Sequence, residues 1–142
     1  MSKLIVRAVG LGLLLAAAPA GAQSLNDIPL AKKLTLANVG DEEAQIAVAE
    51  AYEQGSGGAK VNVTEAARYY HLAAVQGNVE AQYRLARIVA AGAGGLKQDY
   101  GTAAKLYRDA AAKGHALAMD ALGRLYQNGM GVAADPGKAA EW

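Results

Sequence analysis

The chain has 142 residues, with 14 basic and 13 acidic side chains, two histidines and no cysteine. Near-balanced charge without a basic block argues against nucleic-acid binding, which depends on clustered Lys and Arg neutralising phosphates. The lack of cysteine excludes disulfides, thiol chemistry and cysteine-ligated metal sites, and the length suits one domain.

At the N-terminus, Lys3 and Arg7 are followed by an apolar run from Ala8 to Ala18 and then by the small residues Ala20-Gly21-Ala22. This is the layout of a secretory signal peptide over residues 1–22, too short in its apolar part to span a bilayer permanently. Cleavage after Ala22 is expected, leaving a periplasmic or secreted protein with no stable membrane anchor. Loss of Lys3 and Arg7 leaves 12 basic residues against 13 acidic ones. Residues 23–28 read as a short flexible leader.

Beyond the leader the chain repeats every 37 residues, as Gly40, Gly77 and Gly114 show, and as Ala44, Ala81 and Ala118 show again. Such self-similarity marks a repeat architecture. Residues 29–40 match the tail of a unit and form a degenerate half-repeat. Full units follow at 41–77 and 78–114, and residues 115–142 make a truncated third.

Each unit predicts two antiparallel helices, so the chain is all-α. In the first helix apolar residues fall at helical spacing: Ala44, Val48, Ala51 and Tyr52, then Ala81, Leu85, Ile88 and Val89, then Ala118, Leu122, Leu125 and Tyr126. Gly55, Gly92 and Gly129 end it with left-handed caps. The second helix opens at Asn62, Asp99 or Asp135, whose short side chains suit an N-cap. Glu65 fits a capping box with Asn62, and Pro136 occupies a position where a helix tolerates proline. Alanine and glycine at 49, 86 and 123, with the pairs 66–67, 103–104 and 139–140, predict close helix approach. The tyrosines supply bulk, with hydroxyls able to reach the surface.

Catalytic constellations are missing from the sequence. His71 and His115 stand apart, neither with a carboxylate at a catalytic spacing, so neither predicts acid–base or metal chemistry. The loops "GSGG", "GAGG" and "GMG" lack the Lys-Ser/Thr of a phosphate loop and the preceding strand of a dinucleotide loop. They read as turns, and no cofactor is expected.

The pattern A-x-x-x-L-G-x-x-Y-x-x-G-x-G-V-x-x-D-x-x-x-A-x-x-W, from Ala118 to Trp142, resembles the Sel-one-like repeat family, relatives of the tetratricopeptide repeats. The first two units depart from it: Val48-Ala49 stands for Leu-Gly, Val89 replaces the tyrosine, and each turn carries one extra residue. The resemblance covers roughly residues 29–142. It implies an α-solenoid that serves as an adaptor or scaffold for other proteins, usually without catalysis of its own.

It also implies that the first helices line a concave groove. Carried across by position, the groove candidates are Glu43, Glu50 and Glu53 in the first unit and Glu80, Tyr83 and Arg87 in the second. The third supplies Asp120, Arg124, Gln127 and Asn128. This acidic and aromatic surface suits a protein or peptide bearing Lys or Arg. The rival reading is a small periplasmic hydrolase of cell-wall or β-lactam type, as in some cysteine-rich relatives; this chain lacks their cysteines. Trp142 aligns with Leu106 and Tyr69, mid-helix positions in the other units. That C-terminal edge is expected either to continue into a longer array or to meet another copy or a partner.

Overall fold

A computed structural model describes residues 24–142, and the expected signal peptide lies outside the described residues. Seven α-helices follow in order: α1 (Leu30–Asn38), α2 (Glu42–Gln54), α3 (Val63–Val75), α4 (Val79–Ala91), α5 (Tyr100–Ala112), α6 (Ala116–Asn128) and α7 (Pro136–Glu141). Turns of 3-10 helix occupy Leu25–Asp27 and Ala93–Gly95. Each helix packs chiefly against its neighbours in sequence, from α1 on α2 to α6 on α7. The pairs α2–α3, α4–α5 and α6–α7 stack into an α-solenoid, as the resemblance implied. Within the leader, Leu25 packs against the first core cluster.

Both helices of every unit are capped by a side chain. Asp41, Asn78 and His115 accept the N–H of Ala44, Ala81 and Ala118, respectively. Asn62, Asp99 and Asp135 do the same for Glu65, Thr102 and Lys138. Gly55, Gly92 and Gly129 close the first helices at φ of 69°, 65° and 65°, where a Cβ would be strained.

The expected capping box at Asn62 does not form. Its backbone N–H donates to the Tyr52 carbonyl at 2.8 Å, and Glu65 turns instead to Arg68 at 2.9 Å. Asp99 donates likewise to Val89 and Asp135 to Tyr126. In each unit this N–H is already used to close the loop onto the preceding helix.

Alanine dominates the core. Ala44, Ala66, Ala73, Ala81, Ala103, Ala110 and Ala118 are fully buried and let neighbouring backbones approach, while Tyr69, Tyr70, Leu122 and Val48 are the largest fully enclosed side chains. Two of the tyrosines extend their hydroxyls from the core to side chains on neighbouring helices. Tyr69 donates to Asn38 Oδ1 at 3.1 Å and Tyr70 to Glu53 Oε2 at 2.6 Å. A buried phenol needs such a partner.

The loop glycines also join the units. A Cβ on Gly94 would lie 2.8 Å from Val63 Cβ and 3.0 Å from Thr64 N, at the start of α3 one unit earlier. The Thr64 hydroxyl donates to the Gly94 carbonyl there. Gly131 presses in the same way on the Tyr100 and Gly101 backbone, whereas Gly57, the matching residue of the first unit, has nothing within 4 Å of such a Cβ. In the second and third units the glycine loop is an inter-unit contact.

Candidate functional site

The N-cap at Asn78 and the helical period place Glu80 and Arg84 one turn apart on α4, where side chains four residues apart meet. Arg84 Nε donates to Glu80 Oε1 at 2.6 Å. The same guanidinium reaches back one unit to α2, lying 3.5 Å from Glu53 and 4.0 Å from Glu50. Glu53 also accepts the Tyr70 hydroxyl. The second Glu80 oxygen lies 2.8 Å from His115 Nε2, one unit further on. One chain of polar contacts therefore runs through all three units.

His115 corrects the expectation of an isolated histidine. Its carboxylate partner lies 35 residues away in sequence, across a unit boundary where no local spacing rule could find it. Nδ1 accepts the Ala118 N–H at 3.2 Å, so Nε2 carries the proton and donates to Glu80. Both ring nitrogens are thus committed to structure.

The electrostatics follow from these contacts. Burial pushes the Glu80 carboxyl up, but hydrogen bonds from Arg84 and His115 outweigh it and hold the group below the usual carboxylate range. The bond to Glu80 raises Arg84 further. Burial, reinforced by the Glu53 acceptor, drives the Tyr70 phenol far above its ordinary value.

Beside this network lies an aromatic patch. Tyr83 stacks on His115 with centroids 4.5 Å apart and meets Tyr107 at 5.9 Å. The Arg87 guanidinium lies 6.0 Å from the Tyr83 centroid. A hollow of about 400 Å³ opens among Glu53, Arg87, Ala90, Tyr100 and Tyr107. Along α6, Asp120 and Arg124 form an exposed pair at 3.0 Å. Glu43, Gln127 and Asn128 are exposed.

Of the ten candidate residues, the structure gathers Glu50, Glu53 and Glu80 around one cation and sets Tyr83 and Arg87 beside them. Sequence reasoning missed Arg84 and Tyr70. The Glu80–Arg84 spacing was a visible signal; the arrival of Glu50 and Glu53 was not. Among the described residues no group of three His, Asp or Glu side chains could hold a metal ion.

Three consecutive segments, residues 42–78, 79–115 and 116–142, match the model of the Sel1 repeat. This chain belongs to the Sel1 repeat family. One similar solved structure is c5321, a protective antigen of uropathogenic Escherichia coli with an SLR fold. The identity is 32% and the TM-score 0.76, over 82% of this chain but only 24% of that one. Another is a Sel1 repeat protein from Oxalobacter formigenes, 36% identical with a TM-score of 0.68, over 80% of this chain and 84% of that one. A comparison with curated proteins finds no match. Sel1 repeats are in general a protein-interaction fold, without catalysis of their own.

Proposed function

We propose that this Sel1 protein is an exported, non-catalytic adaptor that docks a protein or peptide on the face presented by α2, α4 and α6. The observation that carries the reading is the patch built by Tyr83 and Arg87 beside the hollow that Glu53 and Tyr107 line. An aromatic ring next to a guanidinium is the combination enriched where partners anchor. The side chains are held by stacking and by Arg84, so little ordering is left for binding to oppose. Around them Glu43, Glu50, Glu53, Glu80 and Asp120 face Arg84, Arg87 and Arg124, leaving the face two charges negative. That balance favours a partner bearing Lys or Arg.

Photo-cross-linking in the native compartment tests the docking face. A cross-linking residue at position 87 or 124 should capture a partner that one at Lys60, in the loop of the first unit, does not. Glu43→Lys with Asp120→Lys reverses the charge that favours a basic partner and should abolish the capture, and equal capture from Lys60 would sink the assignment. For export, N-terminal sequencing of the protein from the periplasmic or secreted fraction should begin at Gln23. An unprocessed cytoplasmic chain would overturn that part.

A further inference from the structure

On the opposite side of the solenoid, α3 and α5 flank α4 and leave a cleft of about 690 Å³ between them. Leu85 and Val89 form its floor, with Ala67, Leu96 and Leu106 on the walls. Thr64, Arg68, His71, Thr102, Lys105 and Asp109 stand around this apolar floor, and Gln82 lines it from α4. Gln82 is 8% exposed, and among the described residues its Oε1 is the buried side-chain polar atom with no hydrogen-bond partner. Its Nε2 faces the Ala74 carbonyl at 3.5 Å, which fixes the amide so that the oxygen is the orphan.

The preceding unit shows how the same position is normally satisfied. Gln45 Nε2 donates to the Ala37 carbonyl at 3.1 Å, and Gln45 Oε1 accepts from Gln76 Nε2 at 2.8 Å. Gln76 also reaches the Gly40 carbonyl. One unit on, the place of Gln76 is taken by Lys113, whose ammonium donates to the Gly77 carbonyl at 3.0 Å and not to Gln82. The internal donor has been replaced, and a buried acceptor is left without one, which is unfavourable unless something else supplies it.

We propose that this cleft binds a small neutral amphipathic molecule. Its apolar body lies over Leu85, Val89 and Leu106, and a hydroxyl or N–H group donates to Gln82 Oε1 as the amide turns into the cleft, giving up only its 3.5 Å contact to Ala74. The volume suits a small ligand, as does an apolar floor with a few polar groups around it. A docked helix would not satisfy the acceptor with its backbone, whose N–H groups are used internally. The rim carries both signs, with Lys105 and Asp109 on α5 and Arg68 already tied to Glu65, so it selects neither anion nor cation.

Two probes of one shape test this: 2-naphthol, and 2-methoxynaphthalene, in which the donor is capped. Titrated into isotope-labelled protein, both should shift the Leu85, Val89 and Leu106 methyl resonances, with 2-naphthol binding roughly five- to tenfold more tightly. Gln82→Met removes the acceptor, and methionine is already accepted at the equivalent Met119. Lys113→Gln restores the internal donor without altering the cleft lining. Each variant should bring the two probes within about twofold of one another. Equal affinities in the native protein, shifts confined to another face, no binding at millimolar probe, or a preference that survives Lys113→Gln would each overturn the proposal.

Discussion

Tyr70 and Glu53 are joined by a 2.6 Å hydrogen bond between α3 and α2, at a phenol that is fully buried. The contact links the core of the first unit to the charged face. Tyr70→Phe keeps the ring and removes only the donor. It should cost about 1 kcal/mol in urea denaturation, the ordinary net worth of such a bond. A neutral result would mean that water replaces the hydroxyl without loss.

Arg84 holds three carboxylates. Arg84→Met should destabilise by about 1 kcal/mol at low salt, because these groups are partly solvated and screened, and the difference should shrink toward 1 M salt. The Glu80 carboxyl is depressed below its reference value of 4.5 in the folded state. Its contribution is therefore complete above that value and is lost as pH falls through the lower folded one. The stability gap between native protein and Arg84→Met should narrow in that acid window and stay constant at neutral pH.

His115 caps α6 with Nδ1 and reaches Glu80 with Nε2. His115→Ala should cost about 1 kcal/mol, and His115→Asn much less, since asparagine caps α4 at the same place. Nitrogen-15 spectra at neutral pH should show the Nε2-protonated tautomer. The opposite tautomer would contradict the cap.

The loop glycines should differ in cost although all sit at positive φ. Gly57→Ala meets backbone strain alone, while Gly94→Ala adds overlap with Val63 and Thr64. The second substitution should be worse by about 1 kcal/mol or more in thermal unfolding. Equal losses would mean that the loop can lift away from α3.

At the C-terminal edge, a Cβ on Gly123 would lie 3.2 Å from the Ala139 carbonyl and 3.8 Å from Trp142 Cβ. Removing Ala139–Trp142 uncovers that face of α6. Lower stability or altered assembly is expected, read by denaturation and by size-exclusion chromatography with light scattering. No change in either would make α7 dispensable.

Much of the fold was legible because repetition writes each structural demand several times. The glycine and alanine series marked helix ends and close approaches, and the short polar residues at 62, 99 and 135 marked helix starts. The site was less legible because its contacts cross unit boundaries. Arg84 meets Glu80 within one helix, a spacing visible in the sequence, but it meets Glu53 only once α2 and α4 lie side by side in the stack. The Gln82 acceptor was invisible for a related reason. Its isolation depends on the exchange of Gln76 for Lys113, which matters only once both side chains are placed.

The inter-unit bonds have a kinetic side. Those from Asn78 to Glu42, Gln76 to Gly40 and Lys113 to Gly77 each span 36 residues, and no hydrogen bond among the described residues spans more. Hydrogen bonds among the described residues thus reach no further than about one repeat, so no distant ends must find each other before the structure gains stability. Folding can begin at whichever pair of units meets first and spread outward. Amide protons in α3 to α5 should be the last to exchange, with opening that starts from both ends and moves inward.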